Sequence, residues 1–242
     1  MTETLSLRAK IEQSPMGAYQ WMIVVMAAIM NLLDGFDVLA LAFTATAIRG
    51  EFGLTGIELG YLLSAGLFGM TAGSLFLAPL ADKIGRRPLL LMAVSLSAIG
   101  MLGSAFISQY QWLGFWRVIT GLGVGGILVG TNVITSEYSS RKWRSFAISV
   151  YAAGFGIGAV LGGMFAVMLQ GEYGWRSVFL AGAILTGLLL VVLFIWLPES
   201  IDFLTSKQPK NAEVRLNLIA FFPCKKLEIP LQICSYVLLF KY

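Results

Sequence analysis

The sequence predicts an all-α membrane protein that folds as a bundle of six transmembrane helices. First, 57% of the 242 residues are hydrophobic and only 12% are charged, whereas a soluble domain carries about 25% charged residues. Second, the apolar residues form long runs that reach the roughly 20 residues a helix needs to cross a bilayer. Third, Lys and Arg concentrate in alternate links between these runs, as they do in a multi-pass protein.

Six apolar runs are long enough to span. The predicted spans are 19–48, 58–80, 88–107, 112–137, 145–169 and 176–197. Pro88 opens the third span, because proline is favoured at the first position of a helix, and Pro198 closes the sixth. The predicted segments are a polar N-terminal segment 1–18, the bundle 19–197, the start of a cytoplasmic central loop 198–220, and an atypical tail 221–242.

The distribution of Lys and Arg predicts which end of the bundle faces the cytoplasm. If the N-terminus is cytoplasmic, the inner links carry most of the basic residues, namely Arg8, Lys10, Lys83, Arg86, Arg87, Arg141, Lys142, Arg144, Lys207, Lys210 and Arg215. The outer side then holds only Arg49 and Arg176, with Arg117 just inside the fourth span. Because positive charge accumulates on the cytoplasmic side, we expect both termini there. The first apolar run is too long for the core of a cleaved signal peptide, so we predict that it is retained.

The composition excludes several kinds of site. The chain has no histidine, which removes histidine-based metal sites and Ser-His-Asp or Cys-His catalysis. We therefore predict no metal, no cofactor and no catalytic residue, and a membrane enzyme such as an intramembrane protease is not supported. The basic residues form short clusters rather than one patch, so no nucleic-acid partner is expected. The two cysteines, Cys224 and Cys234, do not make a disulfide framework.

Two aspartates lie in the middle of the first span. Asp34 and Asp37 are surrounded by apolar or small residues, and ionisable groups within a bilayer usually face a cavity or a partner. On a helical wheel of about 100° per residue, Asn31, Asp37 and Thr44 fall within about 80° of Asp34. These side chains form one polar stripe, which we expect to face the inside of the bundle rather than lipid.

The fourth span carries a second polar stripe. Thr131, Asn132 and Thr135 fall within about 60° of Arg117 on the same wheel. Gly121 lies on this face, where the lack of a side chain would let a ligand approach. An alternative for Arg117 is a structural role, in which its long side chain reaches the nearby outer surface.

Glu137 does not belong to this second stripe. On a straight helix it points about 200° away from Arg117, near the predicted cytoplasmic end of the span. The sequence leaves two interpretations open. Glu137 forms a structural ion pair at that end, where Arg141 is expected one turn below, or it acts in coupling or gating.

The chemistry of the two stripes suits proton coupling. Burial favours the neutral form of a carboxylate, a like-charged neighbour favours it further, and a nearby guanidinium opposes both effects. A site whose affinity for a proton depends on whether Arg117 holds an anion links proton uptake to anion uptake. Because histidine is absent, carboxylates are the groups that must carry the proton.

Glycines recur at the spacing of close helix packing. Gly154, Gly158 and Gly162 follow one another every four residues in the fifth span, and Gly69 and Gly73 do so in the second. Small residues at this spacing let helix backbones approach closely in lipid. We predict that both glycine rows serve helix packing.

Three motifs resemble those of the major facilitator superfamily. Residues 78–90 read APLADKIGRRPLL and resemble its signature loop, with Ala78 in place of the leading glycine. Residues 117–126 read RVITGLGVGG, which is similar to the superfamily pattern in the fourth span. The sixth span ends with LPESIDFL, where many members carry a PES run. Within the superfamily, the DGFD motif at residues 34–37 resembles the first-span motif of the aromatic acid:proton symporters of the bacterial inner membrane.

The resemblance implies roles for particular residues. It implies a proton-coupled symporter that imports aromatic carboxylates such as 4-hydroxybenzoate, benzoate or protocatechuate. The implied proton-coupling residues are Asp34, Asp37 and Glu137, and the implied substrate path contains Arg117, Asn31, Thr131 and Asn132. The implied conformational gate contains Asp82, Gly85, Arg86 and Arg87. Related carriers of cis,cis-muconate, other organic anions, sugars or drugs remain alternatives.

The chain departs from the superfamily in length. Members have about twelve spans in two halves, and each half consists of two inverted three-helix repeats. This chain has six predicted spans, so the resemblance implies the N-terminal half of the fold, with the first and fourth spans as symmetry mates. We therefore expect one of two situations. The chain is a truncated or frameshifted product, which includes the case of an inactive fragment, or it pairs with a second six-helix half.

Overall fold

The computed structural model describes residues 16–200 and Phe203. Within these residues the chain forms six long helices and no strand, which confirms the predicted fold class. The helices are α1 Ala18–Phe52, α2 Gly56–Ile84, α3 Arg86–Ala105, α4 Tyr110–Tyr138, α5 Arg144–Tyr173 and α6 Trp175–Trp196. Each of these six helices is long and apolar enough to cross a membrane.

Four predicted spans fall within one helix each, whereas span 88–107 runs two residues past the end of α3 and span 176–197 runs one residue past the end of α6. One detail was wrong, because α3 begins at Arg86 and Pro88 is therefore its third residue rather than its first. Proline is still tolerated there, since the first N–H groups of a helix have no partner within the helix. The predictions for the tail 221–242, for most of the loop 198–220 and for most of the segment 1–18 lie outside the described residues.

The bundle has two ends, each formed by alternating helix starts and helix ends. At the Arg86 end, α1, α3 and α5 begin and α2, α4 and α6 end. At the opposite end, which we call the Arg176 end, the relations are reversed. Gly85 is the N-cap residue of α3 and has a φ of 103°, and Gly174 is the N-cap residue of α6 and has a φ of 78°. Both positions need glycine, because an L side chain is strained at positive φ.

Two helix pairs pack with their backbones in contact, as the glycine spacing predicted. A Cβ atom at Gly154 or Gly158 of α5 would collide with carbonyl oxygens of α1 at Ala28 and Leu32. A Cβ atom at Gly69 or Gly73 of α2 would collide in the same way with α4. The α1–α5 and α2–α4 pairs are related by an exchange of α1 with α4 and α2 with α5, as two inverted repeats require.

This packing corrects the interpretation of Gly121. A Cβ atom at Gly121 would collide with the carbonyl oxygen of Gly66 on α2. The position that a side chain would take at Gly121 is therefore filled by a neighbouring backbone, so this glycine serves helix packing. The sequence pattern of α4 alone did not show which neighbour would occupy that face.

We predict that Gly158→Ala destabilises the bundle and that Gly156→Ala does not. The Cβ at position 158 would overlap the backbone of Leu32, and overpacking of this kind costs about 1–3 kcal/mol. At Gly156, two residues away on the same helix, no atom lies within 4 Å of the added Cβ. Thermal unfolding of the purified chain in detergent measures both variants, and equal midpoints would contradict the close α1–α5 contact.

Candidate functional site

The buried charges form a polar layer between two apolar clusters. One cluster lies toward the Arg86 end and contains Met30 of α1 and Leu90 of α3; the other lies toward the Arg176 end and contains Phe36 and Met101. Between these two clusters, or beside them, lie polar side chains that are at most 3% exposed. They are Asp34, Asp37, Ser97, Ser104, Arg117, Thr120 and Thr186. None of these groups faces lipid.

Asp37 is held by a hydroxyl of α3. Ser97 donates its Oγ hydrogen to Asp37 Oδ2 over 2.8 Å. The other oxygen, Asp37 Oδ1, has no hydrogen-bond partner in the described part of the chain. It lies beside Gly182 of α6, where an added Cβ would be 3.3 Å from it. One half of this carboxyl group is thus fixed and the other half is free.

Arg117 lies inside the bundle and is only 3% exposed, so it does not reach the outer surface as the structural alternative required. Its Nη1 donates to the backbone carbonyl of Asp37 over 3.2 Å. Its Nη2 donates to Met101 Sδ over 2.9 Å and to Ser104 Oγ over 3.4 Å. The guanidinium carbon lies 4.7 Å from the ring centre of Phe179, a cation–π distance.

The contacts of Arg117 leave part of its charge unpaired. Its Nε is buried without a hydrogen-bond partner. Within residues 16–200, no carboxylate oxygen lies within the 4.0 Å of an ion pair with its guanidinium. Asp37 acts on it electrostatically from a longer distance. A buried cation with a free donor and no contacting anion is suited to receive an anion.

Of the three buried charged groups Asp34, Asp37 and Arg117, Asp34 has the fewest polar contacts. It is 2% exposed, its Oδ2 is buried without a partner, and the described residues include no hydrogen bond or ion pair to it. The groups that act on it electrostatically are Asp37 and Tyr151. Because an isolated ionised carboxylate is very unfavourable in an apolar interior, this environment suits the neutral, protonated form.

Tyr151 of α5 joins the two predicted stripes, and the sequence did not single it out. Asn31 donates its Nδ2 hydrogen to the carbonyl oxygen of Tyr151 over 2.8 Å. The Thr131 and Tyr151 hydroxyls form a hydrogen bond of 3.1 Å. The structure does not bring Asn132 to this contact, since its side chain is exposed. From the sequence alone, a tyrosine within an apolar span is interpreted as a packing residue. Its polar contacts depend on the neighbouring helices and become visible only in the structure.

At the Arg86 end, a charged network surrounds the predicted gate. Arg86 forms ion pairs with Asp82 at 3.2 Å and with Glu137 at 3.4 Å. Glu137 thus forms an ion pair at this end of the bundle, as one of its two interpretations expected, but the partner is Arg86 instead of Arg141. Since α4 ends at Tyr138 and the chain continues with extended backbone, Arg141 is not one helical turn below Glu137 and lies exposed in the link.

Glu199 completes this network from the end of α6. Its Oε1 accepts hydrogen bonds from the backbone N–H groups of Arg86 at 2.8 Å and Arg87 at 3.1 Å. It therefore caps the N-terminus of α3, where free N–H groups favour a carboxylate. A Cβ atom at Gly85 would lie 2.6 Å from the Glu199 carboxylate. The Tyr138 hydroxyl donates to the Glu199 carbonyl over 2.7 Å, so the ends of α4 and α6 and the start of α3 are tied together.

A second charged network at the Arg176 end was not predicted. Arg176 forms an ion pair of 2.7 Å with Glu51 of α1, and the Trp175 indole donates to the same carboxylate over 2.6 Å. Arg176 also donates to the carbonyl of Ile107 over 3.1 Å. Arg176 and Glu51 lie near the ends of two helices that are far apart in sequence. The spacing of residues within a single helix therefore could not predict this contact.

The chain resembles known transport proteins over most of its length. A family model described as Major Facilitator Superfamily matches residues 27–236. The chain is 34% identical over 221 residues to the 4-hydroxybenzoate transporter PcaK of Pseudomonas putida, and the match covers 91% of this chain and 49% of that protein. It is 36% identical over 204 residues to a gallate transporter of the same species, with 84% and 45% covered.

The fold matches that of a solved transporter. The proton:xylose symporter XylE superposes with a TM-score of 0.76 at 23% identity, over 84% of this chain and 50% of that one. The chain thus spans about half the length of the curated relatives and of the solved structure that it matches. Together, the helix arrangement and the family match show that the chain is a multi-pass membrane protein that belongs to the Major Facilitator Superfamily of transporters.

Proposed function

We propose that these six helices form the first half of a symporter that imports an aromatic carboxylate with a proton. The carried acid is 4-hydroxybenzoate, benzoate, protocatechuate or a close relative, and the membrane is the bacterial inner membrane with the N-terminus in the cytoplasm. The observation that carries the proposal is Arg117, a buried cation with a free donor and two buried carboxylates nearby. The names of two similar proteins, a 4-hydroxybenzoate transporter and a gallate transporter, support this substrate class.

The first step of the mechanism is capture of the anion. The free Nε of Arg117 offers a carboxylate one charged N–H donor, and charge-assisted hydrogen bonds of this kind are strong. The bonds from Arg117 to Asp37, Met101 and Ser104 hold the guanidinium in place before the substrate arrives. Binding then requires little reordering of the side chain.

The second step couples the anion to a proton. In the resting site, burial disfavours the ionised form of Asp37, and Ser97 and the more distant Arg117 partly offset this effect. A carboxylate bound to Arg117 neutralises that cation, so Asp37 then favours the protonated form. Asp34 lacks a donor or cation and already favours its neutral form. Substrate and proton enter together, which reduces the net charge that must cross the bilayer.

The third part is a conformational gate at the Arg86 end. Asp82, Arg86 and Glu137 form the ion-paired network, while Gly85 admits Glu199 to the start of α3. Glu137 lies 20 residues beyond Arg117, or about 30 Å along α4. We therefore propose that Glu137 acts in this gate rather than as a proton carrier of the central layer. The second wall of the substrate path belongs to a second six-helix half.

We predict that Asp34→Asn and Asp37→Asn each abolish uphill uptake. Asparagine keeps the shape of aspartate but cannot carry a proton. The test is a hybrid transporter in which residues 1–215 replace the first half of the P. putida 4-hydroxybenzoate transporter. Uptake of labelled 4-hydroxybenzoate is measured in cells with and without an uncoupler. Glu172→Gln, on an exposed carboxylate, is the matched control and should transport normally. Uncoupler-insensitive uptake that survives both aspartate substitutions would rule out the mechanism.

We predict that Asp82→Asn slows transport and leaves substrate affinity nearly unchanged. The substitution weakens one ion pair of Arg86 without touching the central layer. A fall in maximal rate of about tenfold corresponds to roughly 1.4 kcal/mol on the barrier. Initial uptake rates of the same hybrid over a range of substrate concentrations separate the two parameters. A rise in KM at constant maximal rate would place Asp82 in the binding site instead of the gate.

A further inference from the structure

An apolar groove of about 660 Å³ lies between α3 and α6 on the outer face of the bundle. Its walls include Leu91, Ser95 and Ile99 of α3 and Leu190, Val191 and Phe194 of α6. The side chains of Ile99, Val191 and Phe194 are more than half exposed. Ser95 donates its hydroxyl hydrogen to the Leu91 carbonyl of its own helix over 2.7 Å. The groove therefore offers mainly apolar surface to whatever occupies it.

The groove lies in the half of the bundle next to the Arg86 end. Leu91 and Ile99 are five and thirteen residues beyond the first residue of α3, which places the groove about 7–20 Å from that end. The hydrocarbon core of one bilayer leaflet is about 15 Å thick. Trp196 ends α6 with an indole that is 38% exposed, as is typical at the level of the lipid head groups. The groove thus follows the depth at which the acyl chains of one leaflet run.

A cation lies at the end of the groove that faces the head groups. Arg87 Nη2 donates to the backbone carbonyl of Phe194 over 2.8 Å, and Phe194 itself lines the groove. Leu91, one helical turn after Arg87 on α3, also lines it. The guanidinium is therefore held at the mouth of the groove by the backbone of α6. Arginine is well suited to phosphate, because its planar guanidinium forms charge-assisted hydrogen bonds with phosphate oxygens.

The Arg86 end carries an excess of positive charge. Within residues 16–200, six basic and three acidic residues lie there. The basic residues are Lys83, Arg86, Arg87, Arg141, Lys142 and Arg144, and the acidic residues are Asp82, Glu137 and Glu199. The Arg176 end has the opposite balance, with Arg49 and Arg176 against Glu51, Glu58 and Glu172. Because basic clusters beside membrane-spanning helices attract anionic lipids, the groove opens at the end of the bundle that favours an anionic head group.

We propose that the α3–α6 groove and Arg87 form a binding site for an anionic phospholipid, with one acyl chain in the groove and the phosphate against Arg87. A zwitterionic phospholipid carries a compensating positive group and gains less from this end of the bundle. The inference goes beyond the proposed function, since it needs neither a carried substrate nor a second half. The bound lipid links the start of α3 to the end of α6, beside the network of Asp82, Arg86 and Glu137.

Native mass spectrometry of the purified chain tests the recognition of the head group. The chain in detergent is titrated with phosphatidylglycerol, or with phosphatidylcholine that has the same acyl chains, and the fraction that retains one lipid is recorded. Phosphatidylglycerol should bind at least about fivefold more tightly, which corresponds to about 1 kcal/mol. Arg87→Gln should remove this preference, and Arg87→Lys, which keeps the charge, should retain most of it. Arg141→Gln, on an exposed arginine of the same end that does not line the groove, is the matched control and should keep the full preference.

A second pair of variants tests the placement of the acyl chain. Ser95→Phe fills the groove and should weaken the binding of phosphatidylglycerol by at least about tenfold. Gly156→Phe is the matched control, because an added Cβ at Gly156 on α5 meets no atom within 4 Å and α5 does not line the groove; it should bind the lipid normally. Glycerol 3-phosphate, which has the phosphate but no acyl chain, should not displace the lipid. Circular dichroism and thermal unfolding confirm that the variants are folded.

Several outcomes would overturn the inference. Equal affinity of the parent chain for the two lipids excludes an anionic site. A preference that survives Arg87→Gln places the head group elsewhere, and binding that survives Ser95→Phe places the acyl chain elsewhere. A dimer of the chain that Ser95→Phe dissociates would assign the groove to a second copy instead of a lipid. None of these outcomes touches the proposed symport, because uptake by the hybrid transporter is measured separately.

Discussion

The structure depends on how a buried guanidinium is kept inside an apolar bundle. Arg117 is 3% exposed and contacts a backbone carbonyl, a thioether, a hydroxyl and an aromatic ring, but no carboxylate within the described residues. Such contacts orient a charge without neutralising it, and this is the basis of the proposed capture of an anion. Asp37 is held close by but turned toward Ser97. One oxygen of Asp37 and one of Asp34 are left without a hydrogen-bond partner in the described part of the chain.

The two charged networks at the ends of the bundle have the same arrangement of partners. At the Arg86 end, an arginine that begins α3 pairs with a glutamate at the end of α4. At the Arg176 end, an arginine in the first turn of α6 pairs with a glutamate at the end of α1. Exchange of α1 with α4 and α3 with α6 relates the two pairs, as inverted repeats imply. The network at the Arg86 end joins the ends of α2, α3, α4 and α6, and the network at the Arg176 end joins the ends of α1, α3 and α6.

The sequence predicted the fold and the central charges because both follow from properties of single helices. Span length and the Lys and Arg distribution located the six helices, and the helical wheel located most of the buried polar side chains, although Asn132 of the second stripe is exposed. The contacts between helices were not accessible in this way. The sequence context of Ser97, Tyr151 and Glu199, an apolar span or a loop, does not distinguish them from other residues. Their contacts are with residues distant in sequence. The errors for Gly121 and for the partner of Glu137 have the same origin.

The central claim is that an anion on Arg117 makes the site take up a proton. Proton uptake on ligand binding tests it directly. Neutralised benzoate is added to the purified chain in a weakly buffered solution near neutral pH, and the pH is recorded. The account predicts a rise in pH that corresponds to uptake of up to one proton per benzoate bound, and no such rise with Asp37→Asn. Benzoate binding without any change in pH would contradict the account.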